Sequence, residues 1–210
     1  MQFQNSENRS FKQKVKESLI LCARIYKNVL MDYEYLVCSP ALVQRPFYVF
    51  YATKDNFLHL TGVNTELKAS EFFQKCIEGT LVEDDFDFNK SNQTEKETKG
   101  CVRLKMKVLP RIADILLPGA LIEEQFVKGR ISCNFATATS QLTLGFVAPG
   151  KARPKTLLLG NYAKNGKPVE LLLRKPTKEE KFSEVLIGNR DSLLKYYPSI
   201  CLLVDADLLK

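Results

Sequence analysis

Apolar residues near the start of the chain recur at helical spacing. Ser10 and Gln13 form a capping-box pattern, and Phe11, Val15, Leu19, Cys22, Tyr26 and Val29 then share one face, which predicts a helix to about Leu30. Its opposite face carries Lys12, Lys16 and Lys27, read as a solvated face. The period then shortens. Tyr33–Cys38 reads as a strand stopped by Pro40, and Phe47–Ala52 as a second, opened by Pro46. Lys54-Asp55-Asn56 supplies turn chemistry, so Phe57–Val63 is expected as the return strand or a continuation. In such a strand Phe57, His59 and Thr61 share one face while Leu58, Leu60 and Gly62 take the other. With the leucines inward, His59 and Thr61 point outward together.

Ser70 as N-cap, Glu71 in the first turn and Gly79 as the C′ residue predict a short helix over Glu71–Glu78. Leu81–Phe88 follows with an acidic cluster, Glu83, Asp84, Asp85 and Asp87. Residues 89–100 contain no apolar side chain and are expected as an exposed, mobile loop. Cys101–Leu109 alternates Val102, Leu104, Met106 and Val108 with Arg103, Lys105 and Lys107. A strand would present those three cations in a row, whereas a helix would align Arg103, Lys107 and Arg111. Either produces a basic stripe. Pro110 can open a helix over Arg111–Leu117, ended by Pro118-Gly119.

The last ninety or so residues read as a β-rich meander. Its strands are Arg130–Ala136, Leu142–Val147, Thr156–Leu159, Val169–Arg174 and Ile200–Val204, punctuated by Gly145, Gly150, Asn165-Gly166 and Pro168. Glu184–Leu194 is read as room for a short helix. With no internal repeat and no linker-like stretch, residues 1–210 are expected to form a single α+β domain, N-terminal helices packed on an antiparallel β-meander.

Charge and cysteines narrow the class. The net charge is +7 even with the acidic cluster included, which favours a polyanionic partner, nucleic acid or a membrane surface. The six cysteines stand singly among apolar residues, without a CxxC pair or a neighbouring histidine, as buried reduced thiols of a cytoplasmic protein do. The N-terminal MQFQNSENRS lacks the pattern of a signal peptide, and no apolar stretch is long enough to span a bilayer. No nucleotide-binding or zinc-protease motif is present, so no metal and no cofactor are expected.

The order of several segments resembles the phage and mobile-element branch of the Barnase–EndoU–colicin–RelE-like nuclease superfamily. The segments are NFLHLTGV (Asn56–Val63), SEFFQKCIEG (Ser70–Gly79), Asp85-Phe86, VRLKMKVLPRI (Val102–Ile112), LTLGFV (Leu142–Val147) and PKTLLL (Pro154–Leu159). Together they lie within about residues 47–160. The resemblance implies helices packed on an antiparallel meander. It also implies metal-independent cleavage of RNA through the 2′-hydroxyl.

That chemistry needs a base, an acid and cations around the phosphorane. The chain has one histidine, so His59 would act as the acid–base residue, beside a carboxylate, tyrosine or lysine partner. Thr61 and Lys105 join it as catalytic candidates, and Asp85 or Glu83 would supply a carboxylate. Arg103, Lys107, Arg111 and Tyr51 are the RNA-binding candidates, the cations for phosphate and the tyrosine for stacking. RNA is the implied partner. The alternative is a non-catalytic, phage-encoded binding protein that docks on a host or phage protein and inhibits a defence or nucleic-acid-processing complex.

Overall fold

The computed structural model describes residues 9–210. The polar residues that precede Arg9 lie outside the described residues. Helix α1 (Phe11–Tyr26) starts where the sequence places it, with Ser10 Oγ accepting from the Gln13 N–H. It runs into a π turn over Lys27–Met31 and feeds β1 (Tyr33–Cys38) and β2 (Tyr48–Phe50). Next come α2 (Lys54–Thr61), α3 (Ala69–Glu78) and α4 (Glu95–Val108), the last continuing as a 3₁₀ segment over Leu109–Leu116.

The C-terminal half holds β3 (Leu121–Glu124), β4 (Val127–Lys128), β5 (Ile131–Ser132), β6 (Phe135–Ala138), β7 (Leu142–Val147) and β8 (Arg153–Leu159). After these come β9 (Lys167–Pro168), β10 (Leu171–Pro176), β11 (Glu184–Ile187) and α5 (Arg190–Ile200). The strands form antiparallel sheets. One has the order β11-β10-β1-β2 and another β8-β7-β6-β3-β9. The architecture is α+β. Where β2 ends, the two sheets are joined: the Ala152 N–H donates to the Val49 carbonyl at 2.7 Å and the Tyr51 N–H to the Ala152 carbonyl at 3.1 Å. Among the described residues no helix is long and apolar enough to cross a membrane.

An aromatic core fills the space between helices and sheets. Phe135 stacks on Phe146 with centroids 4.6 Å apart, Phe50 lies 4.9 Å from Phe146, and Tyr35 stacks on Phe50 at 5.0 Å. On the helical side Phe57 sits 5.2 Å from Tyr26 and 5.3 Å from Phe73. Full burial of a ring such as Phe57 contributes about 2–3 kcal/mol.

Several expectations are corrected. Phe57–Val63 is not a strand: residues 54–61 are helix α2. The Asn56 side-chain oxygen accepts from both the N–H and the hydroxyl of Thr53, and Gly62 ends the helix in the left-handed region at φ 81°. Phe57, Leu60 and Thr61 are all buried, a grouping that fits i, i+3, i+4 and that a strand would divide between two faces. Residues 95–100, expected as loop, are the first turns of α4, with Thr94 and Glu97 forming its capping box. The 101–109 segment is helical, and Pro110 opens the 3₁₀ segment that follows. The order near the C-terminus is also reversed: Glu184–Ile187 is a strand, and Ile200 closes a helix rather than opening a strand.

Candidate active site

Helices α2 and α4 both pack on β8, and their contact places the candidate chemistry. His59 lies in the last turn of α2, on the exposed face opposite Phe57 and Leu60. Lys105 reaches it from α4, donating from Nζ to the His59 carbonyl oxygen at 2.8 Å. The carbonyls of a last helical turn lack intrahelical donors, and a lysine there satisfies one and complements the dipole. Gly62 makes room for the lysine. A Cβ at that position would stand 2.8 Å from Lys105 Cδ, so glycine serves both the left-handed turn and the seat of the lysine stem.

Burial pushes the Lys105 ammonium down to about 8, with Lys90 adding to the effect and Cys101 opposing it. The folded protein therefore releases this proton near pH 8, and the unfolded chain near the ordinary lysine value of about 10.4. Between these values the unfolded state holds more protons, so stability rises with pH. Urea unfolding at pH 7 and pH 10 should show the wild type gaining on Lys105→Met at the higher pH, by at most about 3 kcal/mol. An unchanged difference would mean that the ammonium is not desolvated.

The helix also separates cations that a strand would have aligned. Residues two apart on a helix point about 200° apart, so Lys105 turns inward to α2 while Arg103 and Lys107 face outward. Arg103 lies over the Phe11 ring, 5.1 Å from its centroid. Arg111, beyond the end of α4, is paired with Asp114 at 2.8 Å. The three-cation row does not form.

Thr61 is not beside the His59 side chain. It is fully buried, and its hydroxyl donates to the Leu58 carbonyl at 2.8 Å. Asp85 is committed elsewhere too, accepting from Lys75 at 2.8 Å and from the Val82 N–H at 2.8 Å. Desolvation opposes its ionisation, but Lys75 and the Val82 N–H outweigh it and hold the carboxyl below the usual range. Cys22, Cys38 and Cys76 are free and buried, and burial pushes each thiol up to about 12, out of the range of a neutral-pH nucleophile. Among the described residues no three His, Cys, Asp or Glu side chains converge as metal ligands.

Tyr51 has company that the sequence did not nominate. Arg153, the first residue of β8, donates from Nη2 to the Tyr51 hydroxyl at 2.7 Å, with its guanidinium 5.3 Å from the ring centroid. Lys151 Nζ lies 5.9 Å from the same centroid. The only signal in the sequence is the alternation of Lys151, Arg153 and Lys155 ahead of the Leu157–Leu159 run. Nothing local links that segment to a tyrosine about a hundred residues earlier.

The fold sets helices on antiparallel sheets, with the Lys105 ammonium on the His59 backbone carbonyl beside the edge strand β8. The family model of the phage-Barnase-EndoU-ColicinE5/D-RelE like nuclease4 matches residues 19–182, most of the chain, and the protein belongs to that family. Neither a curated protein nor a solved structure matches it.

Proposed function

We propose that the protein is a metal-independent ribonuclease of a phage or mobile element, acting on RNA in the bacterial cytoplasm without a cofactor. The 2′-hydroxyl attacks the adjacent phosphorus, His59 takes its proton, and the bond to the 5′-oxygen breaks to leave a 2′,3′-cyclic phosphate. Lys105 gives the proton that the leaving 5′-oxygen requires. Among the described residues its ammonium bonds the His59 carbonyl alone, through one of three N–H donors, so the others can meet a phosphorane. The observation that carries this reading is the seating of Lys105 against His59 by two helices, in a chain that belongs to a nuclease family. Arg103 and Lys107 act at a distance, as a positive outer face that draws RNA in. Thr61 has no part in the step because its hydroxyl is already bonded.

The test is incubation of the purified protein with mixed cellular RNA in EDTA, followed by analysis of the 3′ ends. Cleavage leaving cyclic phosphates, and blocked by 2′-deoxy substitution at the cut site, is expected. Cleavage that stops on chelation or persists on DNA would overturn the mechanism. A second reading, a non-catalytic protein that inhibits a host defence or nucleic-acid-processing complex, is favoured by the commitment of Asp85 to Lys75, which removes one of the two carboxylates proposed to partner His59. Tight RNA or protein binding without turnover would decide for it.

A further inference from the structure

We propose that Tyr51 and Arg153 form a subsite for a nucleotide flanking the cleaved bond, with Arg153 holding a phosphate and Tyr51 stacking a base. The inference rests on the ribonuclease reading and extends it beyond His59 and Lys105. Three observations lead to it.

The first is the state of Arg153. Among the described residues its one side-chain hydrogen bond is to a neutral hydroxyl, and no carboxylate pairs with it. A guanidinium has five N–H donors, so four remain, already oriented and with the charge uncompensated. Lys151, its neighbour on the Tyr51 ring, is bonded to Glu34, but that carboxylate is shared with Lys175. One carboxylate between two lysines leaves the cluster with an excess of positive charge, the condition for an anionic ligand.

The second is the ring. Tyr51 is half-exposed between β2 and α2, and a tyrosine fixed through its hydroxyl offers a base a flat surface that is already ordered. Lys151 also lines a cavity of about 330 Å³, whose walls include Arg45, Phe47, Val49 and Gly150. Its apolar floor and cationic rim suit the next base along a strand.

The third is position. Tyr51 precedes the N-terminus of α2 and His59 lies in its last turn. A helical rise of about 1.5 Å per residue puts some 8 Å of helix between Lys54 and His59, to which the extended Tyr51–Thr53 segment adds. Such a distance corresponds to a neighbouring nucleotide rather than the reacting one. Arg153 begins β8, which then runs on against α2 and α4, so strand and helix make one continuous floor between the two places.

The probe is a fluorescent single-stranded oligoribonucleotide carrying 2′-O-methyl groups, which no 2′-hydroxyl attack can cleave, so binding is read apart from chemistry. Fluorescence anisotropy should show Arg153→Gln binding about ten-fold or more weakly than wild type. The slope of log affinity against log salt should shrink by about 0.7, the loss of one phosphate contact on a single strand. Tyr51→Ala should weaken binding by about 5- to 100-fold. Tyr51→Phe keeps the ring but releases Arg153, and should fall between wild type and Tyr51→Ala. Arg153→Lys keeps the charge and should recover part of the loss, and circular dichroism checks that each variant is folded. Wild-type affinity and salt slope in Arg153→Gln would overturn the subsite. Failure of the wild type to bind would overturn it too, while the cleavage assay in EDTA still judges the ribonuclease reading independently.

Discussion

Alanine at His59 should slow RNA cleavage by about 10²- to 10⁴-fold, the range over which a positioned acid–base group acts. The fold should be untouched. The imidazole is exposed, and the contact that ties this residue to α4 uses its backbone oxygen, which alanine retains. Thermal melting of the variant should therefore overlay that of the wild type, while initial rates in EDTA fall. A variant that cuts at the wild-type rate would remove His59 from the mechanism. The paired measurement matters because a loss of activity accompanied by a lower melting temperature would be only a folding effect.

The largest loss of stability is expected at Glu34. Its carboxylate is almost enclosed, with the side chain 11% exposed, and it accepts from Lys151 at 2.7 Å while lying 3.3 Å from Lys175 Nζ. Lys175 is itself only 8% exposed at the side chain, and its other bond is to the Glu179 carbonyl. Glu34→Ala leaves that ammonium buried without a counter-charge, which should cost about 3–5 kcal/mol. The contact with Lys151 adds little, since that lysine is half in solvent. Urea unfolding should show the loss as a lower midpoint at an unchanged slope. In Glu34→Met combined with Lys175→Met both charges are gone, and most of the stability should return. A double variant as unstable as Glu34→Ala would mean that packing of the glutamate stem, not the charge, holds this place.

The Glu34 replacement also bears on the proposed subsite. Glu34 lies on β1 opposite Lys175 of β10, and through Lys151 it helps set the cationic side of the Tyr51 ring. A partly stable Glu34 variant should thus also bind the uncleavable oligonucleotide differently, whereas His59→Ala should bind it as the wild type does.

Residues 101–109 teach a specific lesson about pattern. Their alternation of apolar and basic side chains has the period of a strand, yet they form the second half of α4 and the first residue of the 3₁₀ segment after it. The helix buries Val102 and Val108, packs the partly buried Met106 against the core and leaves Leu104 47% exposed, so one of the four apolar positions serves no core at all. The strand reading placed Arg103, Lys105 and Lys107 together, and the helix divided them. In α2 the pattern reads as that of a strand and the segment is a helix. Eight residues are too few to hold a helix in water, and what holds this one is the ring of Phe57 between Tyr26 and Phe73. Those partners come from α1 and α3, outside any local window.

By itself the sequence determined what depends on neighbours along the chain. The Ser10 cap and the face of α1, the limits of β1 at Tyr33–Cys38 and of β7 at Leu142–Val147, and the end of the third helix at Gly79 all follow from local periodicity and from backbone conformations that few residues adopt. It also singled out His59 and carried the family's segments in order. The tertiary structure alone decided which distant groups meet: the Lys105 ammonium with the His59 backbone carbonyl, Arg153 with Tyr51, Glu34 with Lys151 and Lys175. Those pairs join residues from 46 to 141 positions apart, brought together by burial of aromatic rings between helices and sheets, and no spacing along the chain encodes them.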